Sequence, residues 1–144
     1  MDRVQGMEIN FLAVGLATIL GIVIGSVWFG PKTFFPIWWK FLGKDPSEQP
    51  GTSNMALVFG LTFVGAFVQA LVLSVVLALA NQALGSLSWF DGIAIGALMG
   101  VGFAAASSIS HQLFGGFSLK AWVLEVGQDI VSLSAMGAVI ALML

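Results

Sequence analysis

The chain has 144 residues, of which 58% are hydrophobic and 8% charged. Soluble domains carry about 25% charged residues, so a water-soluble globule is excluded and lipid is the expected solvent. A net charge of −2 is too small to draw nucleic acid, and the absence of cysteine excludes disulfides, thiolate metal sites and cysteine nucleophiles.

The first predicted element runs from Ile9 to Gly30 without a charge. It is longer than the ~7–15 residues of a secretory core, and no small-x-small cleavage site follows. At about 1.5 Å per residue it crosses a hydrocarbon layer of ~30 Å, so a retained transmembrane helix is expected. Val14, Ala17, Thr18, Gly21, Gly25 and Trp28 share one face. Gly21 and Gly25 form a GxxxG pair, which lets helix backbones approach closely in lipid. Gly30-Pro31 ends the helix, because proline cannot continue the hydrogen-bond ladder.

Aromatic residues and lysines then alternate: Lys32, Phe34, Phe35, Trp38, Trp39, Lys40, Phe41 and Lys44. Such a mixture suits the headgroup layer, where rings sit half buried and lysines snorkel. A short interfacial helix is expected from about Pro36 to Leu42, with Trp28, Trp38, Trp39 and Lys40 as anchors. A polar turn segment follows from Asp45, and Asn54 or Ser53 is placed to cap the next helix.

The second span is expected from Met55 to Ala80. Its one strongly polar residue in mid-membrane is Gln69, on the same side as Thr62, Gly65 and Ala66. A buried amide must find hydrogen bonds, so Gln69 is expected either to bond across a packing face or to line a polar path. After a turn over 81–89, Asp91 starts the third helix, where a negative charge complements the helix dipole.

The third span, 92–114, repeats glycine at Gly92, Gly96 and Gly100. On an unbroken α-helix, positions 96, 100, 104, 107, 108 and 111 share one face. That face predicts close helix packing through Gly92, Gly96, Gly100 and Ala104, and places the single histidine, His111, at its end. The glycine faces are also the expected surfaces for oligomerisation.

The fourth span, 119–144, carries Glu125, Gln128, Asp129, Ser132 and Met136 on one stripe, opposite an apolar side with Val123, Val126, Ile130 and Val131. Carboxylates inside an apolar span are costly and face a protein interior or water. The chain therefore reads as a single all-α transmembrane domain. It is an integral membrane four-helix bundle with spans at about 9–30, 55–80, 92–114 and 119–144, and a short interfacial aromatic helix between the first and second spans.

Lys32, Lys40, Lys44 and Lys120 lie on one side of these spans, and Arg3 on the other. The positive-inside rule places segments 31–53 and 115–120 in the cytoplasm. The protein is expected in the cell inner (plasma) membrane as a multi-pass protein with both termini outside.

Three stretches carry a resemblance. They are Gly25-Ser-Val-Trp28-Phe29-Gly30-Pro31 with Trp38-Trp39 soon after, then Leu124-Glu125-Val-Gly127-Gln128-Asp129, then Met136-Gly137-Ala138-Val-Ile140. In order and spacing the chain resembles the small bacterial membrane proteins catalogued as domain of unknown function seventeen sixty-one. That family usually has Gly-Tyr-His where this chain has Gly127-Gln128-Asp129. The resemblance implies four membrane helices and supplies no activity.

The strongest chemical constellation is His111 with Glu125 and Asp129. Across the turn near Gly116, His111 is level with about position 122, and Glu125 lies roughly 4–5 Å deeper at 1.5 Å per residue. Such a pair suits a proton relay or a cation site. With one histidine and no cysteine, no metal site or other cofactor is expected. Ser107 and Ser110 read as packing residues that bond back to helix carbonyls, so no enzyme is expected. Two readings follow. One is a transporter or channel subunit whose polar path uses Gln69, His111, Glu125 and Asp129, working as a homo-oligomer. The other is a non-catalytic structural or accessory subunit of a larger membrane complex.

Overall fold

The structure, a computed structural model, describes residues 6–49, 51 and 54–144. A short polar side chain starts each long helix by accepting from a free backbone N–H, as helix N-termini require. Asn10 accepts from the Ala13 N–H at 3.1 Å and opens α1 (Phe11–Trp28). Asn54 accepts from the Leu57 N–H at 3.1 Å and opens α3 (Met55–Leu84). Ser88 and Asp91 form a reciprocal capping box at the start of α4 (Trp89–Met99). Ser118 caps α6 (Leu119–Leu142). Between α1 and α3 lies α2 (Phe35–Phe41), the short aromatic helix expected there, with Pro36 in its first turn. Ser53, the other candidate cap, and Arg3 lie outside the described residues.

Four helices are long and apolar enough to cross a membrane: Phe11–Trp28, Met55–Leu84, Trp89–Phe114 and Leu119–Leu142. At 30 residues α3 is about 45 Å long, well beyond the ~30 Å of hydrocarbon, and it continues past the expected end at Ala80.

The third span is not one α-helix. After α4 the backbone widens into a π-helical segment, Gly100–Ala105, before resuming as α5 (Ala106–Phe114). A π segment holds one residue more than the α-helix it interrupts. The inward face therefore slips by one position. Gly92, Gly96 and Gly100 are buried, and next comes Ala105, not Ala104, followed by the half-buried Ser108 and Gln112. Ser107 and His111 are exposed.

The glycine row sets the α4–α6 contact. A Cβ on Gly92 would sit 2.2 Å from the Gly137 carbonyl oxygen, and one on Gly137 2.1 Å from that of Gly92. A Cβ on Gly96 would meet the Leu133 carbonyl oxygen at 2.1 Å, and one on Gly100 the Ile130 Cα at 2.9 Å. The two backbones touch, so these glycines face inward within the chain and are closed to a second molecule.

The core gathers at one end. Val14 and Ala17 of α1, Leu73 and Leu77 of α3, and Met136 and Ile140 of α6 are all but fully buried. Asn10 closes that end by donating to the Met143 carbonyl at 3.1 Å. At the other end no neighbour among the described residues buries α3. From Met55 to Gln69 every residue except Ala66 is exposed. The bundle is closed at one end and open at the other.

Candidate functional site

The open half of the bundle holds a groove of about 670 Å³ between α1, α3 and α6. The C-terminal half of α1 contributes Gly21 to Phe29, the free half of α3 contributes Val58 to Gln69, and α6 contributes Gln128, Asp129, Ser132 and Met136. The stripe read along the fourth helix, Glu125 apart, is thus the floor of the groove. Glycines shape the α1 wall. A Cβ at Gly21 would lie 2.1 Å from Met136 Cε, and one at Gly25 would lie 3.3 Å from Gln128 Nε2. Both α6 side chains occupy space that any larger residue would fill.

The polar floor is partly paired. Gln128 donates from Nε2 to Ser132 Oγ at 2.8 Å. Asp129, half-buried and near the middle of α6, has no hydrogen bond or ion pair among the described residues. Its charged form therefore relies on whatever enters the groove. Gln69 lies across from it on α3 and is exposed. It lines the groove with Thr62, Gly65 and Ala66 and makes no interhelical bond among the described residues. The packing face expected for it does not form, because α3 becomes buried only from the next residue, Ala70, and Gln69 lies on its exposed side.

Glu125, one turn nearer the open end, is satisfied by the protein. The Trp38 indole donates from Nε1 to its Oε1 at 2.9 Å, and the Gln112 side-chain amide donates to its Oε2. These two donors tie α2 and α5 to α6. His111 is not among the partners, and no described residue bonds to its ring. The expected His111–Glu125 pair fails because the π segment rotates α5, bringing Gln112 round to Glu125 and turning His111 outward. The same slip lets the Trp122 indole donate to Ser108 Oγ at 2.9 Å. Among the described residues, His111, Glu125 and Asp129 gather into no cluster able to hold a metal ion.

The aromatic anchors are also turned inward. Trp28 donates from Nε1 to the Leu124 carbonyl at 3.0 Å and lies on Gly127, where a Cβ would be 3.1 Å from its ring. Trp39 is buried and donates to the Asp45 carbonyl at 2.9 Å. Phe29, Phe35, Trp38 and Trp39 stack in a chain with ring centroids 5.1 to 5.9 Å apart. Lys40 alone of the expected anchors is exposed. Each of these indoles bonds to a carbonyl or carboxylate within the chain, because a buried indole N–H must find an acceptor.

Sequence reasoning missed Gln112, the inward role of Trp38, and the walls formed by Phe29, Phe59 and Phe63. The last was available, since Phe59, Thr62, Phe63 and Ala66 recur at helical spacing on the face of Gln69.

The family model described as "Protein of unknown function (DUF1761)" matches residues 12–141, nearly the whole chain. No curated protein matches the chain. No solved structure matches it either.

Proposed function

We propose, from the premise that the chain belongs to the DUF1761 family, that it is a non-enzymatic subunit of a transporter or channel with the groove as its polar path. One observation carries this reading. Asp129 is a carboxylate in mid-span with no hydrogen bond or ion pair among the described residues, and it lines a groove with Gln69, Gln128 and Ser132. A charge at the bilayer centre costs roughly 2.5–3.5 kcal/mol or more, and no described residue bonds to this one to offset it. Polar residues kept inside a span at such a cost mark ion and substrate pathways. The groove is open along its length, so a second copy of the chain or another subunit completes the path.

Glu125 belongs to the frame of this path, and His111 stands outside it. The lysines support an orientation with the open end in the cytoplasm. Lys120 lies over the Phe41 ring at 5.6 Å, so Lys32, Lys40, Lys44 and Lys120 share that end. Both termini then face outward from the inner membrane.

The test is flux. Purified protein in vesicles containing a pH-sensitive dye is given a pH gradient or a potassium diffusion potential. Asp129-dependent flux, lost in Asp129→Asn and kept in part by Asp129→Glu, is the expected result. Wild-type flux equal to that of Asp129→Asn overturns the reading.

A second reading, an accessory subunit of a membrane complex, draws on the bare half of α3. A Cβ added at Gly60 or Gly65 would meet nothing within 4 Å. A stable foreign subunit retained in mild detergent, and released by Gly60→Leu or Gly65→Leu, distinguishes this reading from the first.

A further inference from the structure

The walls of the groove narrow its substrate class. Phe29, Phe59 and Phe63 line the same groove as Asp129, together with Val58 and Met136. Phe59 and Phe63 are 67% and 52% exposed, so no neighbour within the chain covers them fully. A hydrated metal ion gains nothing from such walls, and lipid or aromatic surface cannot replace its water. A neutral apolar ligand would leave the carboxylate unpaired in a low-dielectric setting. An anion would meet like charge. The ligand that satisfies carboxylate and rings together carries a diffuse positive charge inside an apolar body. Its charge pairs with Asp129 while its surface covers the rings, whose faces attract cations within about 6 Å. At about 670 Å³ the groove is in the size range of small-molecule sites, roughly 300–1,000 Å³, and it shares their pattern of apolar walls with few polar groups. Because the first half of α3 is exposed, the groove also opens sideways.

We propose that this groove binds a lipophilic organic cation of the quaternary ammonium or phosphonium class, with Asp129 as counter-ion and Phe59 and Phe63 as ring contacts. The inference rests on the reading of the groove as the functional site, and it names the substrate class of that site. Gln128, held by Ser132, lies beside the carboxylate as a neutral wall residue.

The test is equilibrium dialysis of the whole purified chain in mild detergent against tetraphenylphosphonium. Tetraphenylborate, an anion of nearly the same shape, is the matched control. Saturable binding of the cation and not of the anion is expected. Asp129→Asn weakens it about tenfold or more and Asp129→Glu by only a fewfold. Phe59→Ala and Phe63→Ala each weaken it about threefold or more. The proposal is overturned by no saturable cation binding, by equal binding of the two ions, or by undiminished cation binding in Asp129→Asn. If Asp129→Asn does not purify as a monodisperse species, the comparison of the two ions on the wild-type chain decides. Asp129-dependent proton flux with no cation binding sinks this proposal and leaves the transport reading standing. Cation binding without any flux does the reverse.

Discussion

The side-chain amide of Gln112 donates to the carboxylate of Glu125, and His111, one residue earlier, faces away. That exchange follows from the π segment at Gly100–Ala105. It separates two residues that an unbroken helix would rank the other way round. Gln112→Ala removes a donor to a half-buried carboxylate and is expected to cost about 1.5–3 kcal/mol. His111→Ala touches no bonded group and is expected to stay within about 0.5 kcal/mol. Unfolding of the two variants by denaturing detergent, followed by helical circular dichroism, checks the order. A larger loss for His111→Ala would mean that the third span runs as one α-helix.

Glycines in the same protein are expected to differ sharply. Gly96→Ala drives a methyl group against the Leu133 backbone, which cannot rotate away. The helices must separate, at a cost of about 1–3 kcal/mol or more. Gly65→Ala enters open space on α3 and is expected to be neutral or to stabilise by up to about 1 kcal/mol through helix propensity. The same unfolding assay measures both, and equal effects would contradict the α4–α6 contact.

Asp129→Leu is expected to raise resistance to unfolding by about 1–3 kcal/mol while removing whatever Asp129 binds. Gain of stability with loss of function is the mark of a residue kept for its chemistry. Thermal unfolding of wild type and variant in the same detergent checks it. A destabilised Asp129→Leu would show that the carboxylate is held by the fold.

The native chain has no cysteine, which makes single-site labelling clean. Ser47→Cys, in the exposed segment after α2, is expected to react with an impermeant maleimide only after the membrane is broken. Ser86→Cys, in the exposed turn between α3 and α4, is expected to react in intact cells. The opposite pattern reverses the orientation.

Hydropathy made the four spans and the aromatic helix legible, because lipid imposes length and polarity on each segment by itself. The row Gly92, Gly96, Gly100 was legible for a similar reason: it needs only a local period. What escaped depends on a phase or a partner. Gly100 to Ala105 contains no proline or charge to announce a wider turn, so counting at 3.6 residues per turn carried His111 to the wrong side. Gln69 looked like a packing residue because nothing local says that α3 becomes buried only from Ala70. Trp38 and Trp39 suited the headgroup layer by type, and only the fold supplies Glu125 and Asp45 as acceptors for their indoles.

The wide turn at Gly100–Ala105 also fixes how sequences of differing length must be matched to this one. It uncouples the glycine half of the third span, which docks on α6 by backbone contact, from the half bearing Ser108 and Gln112. A relative one residue shorter within that stretch keeps both docks in a continuous helix. The alignment gap for such a sequence belongs between 100 and 105, and placing it elsewhere would equate residues that point in different directions.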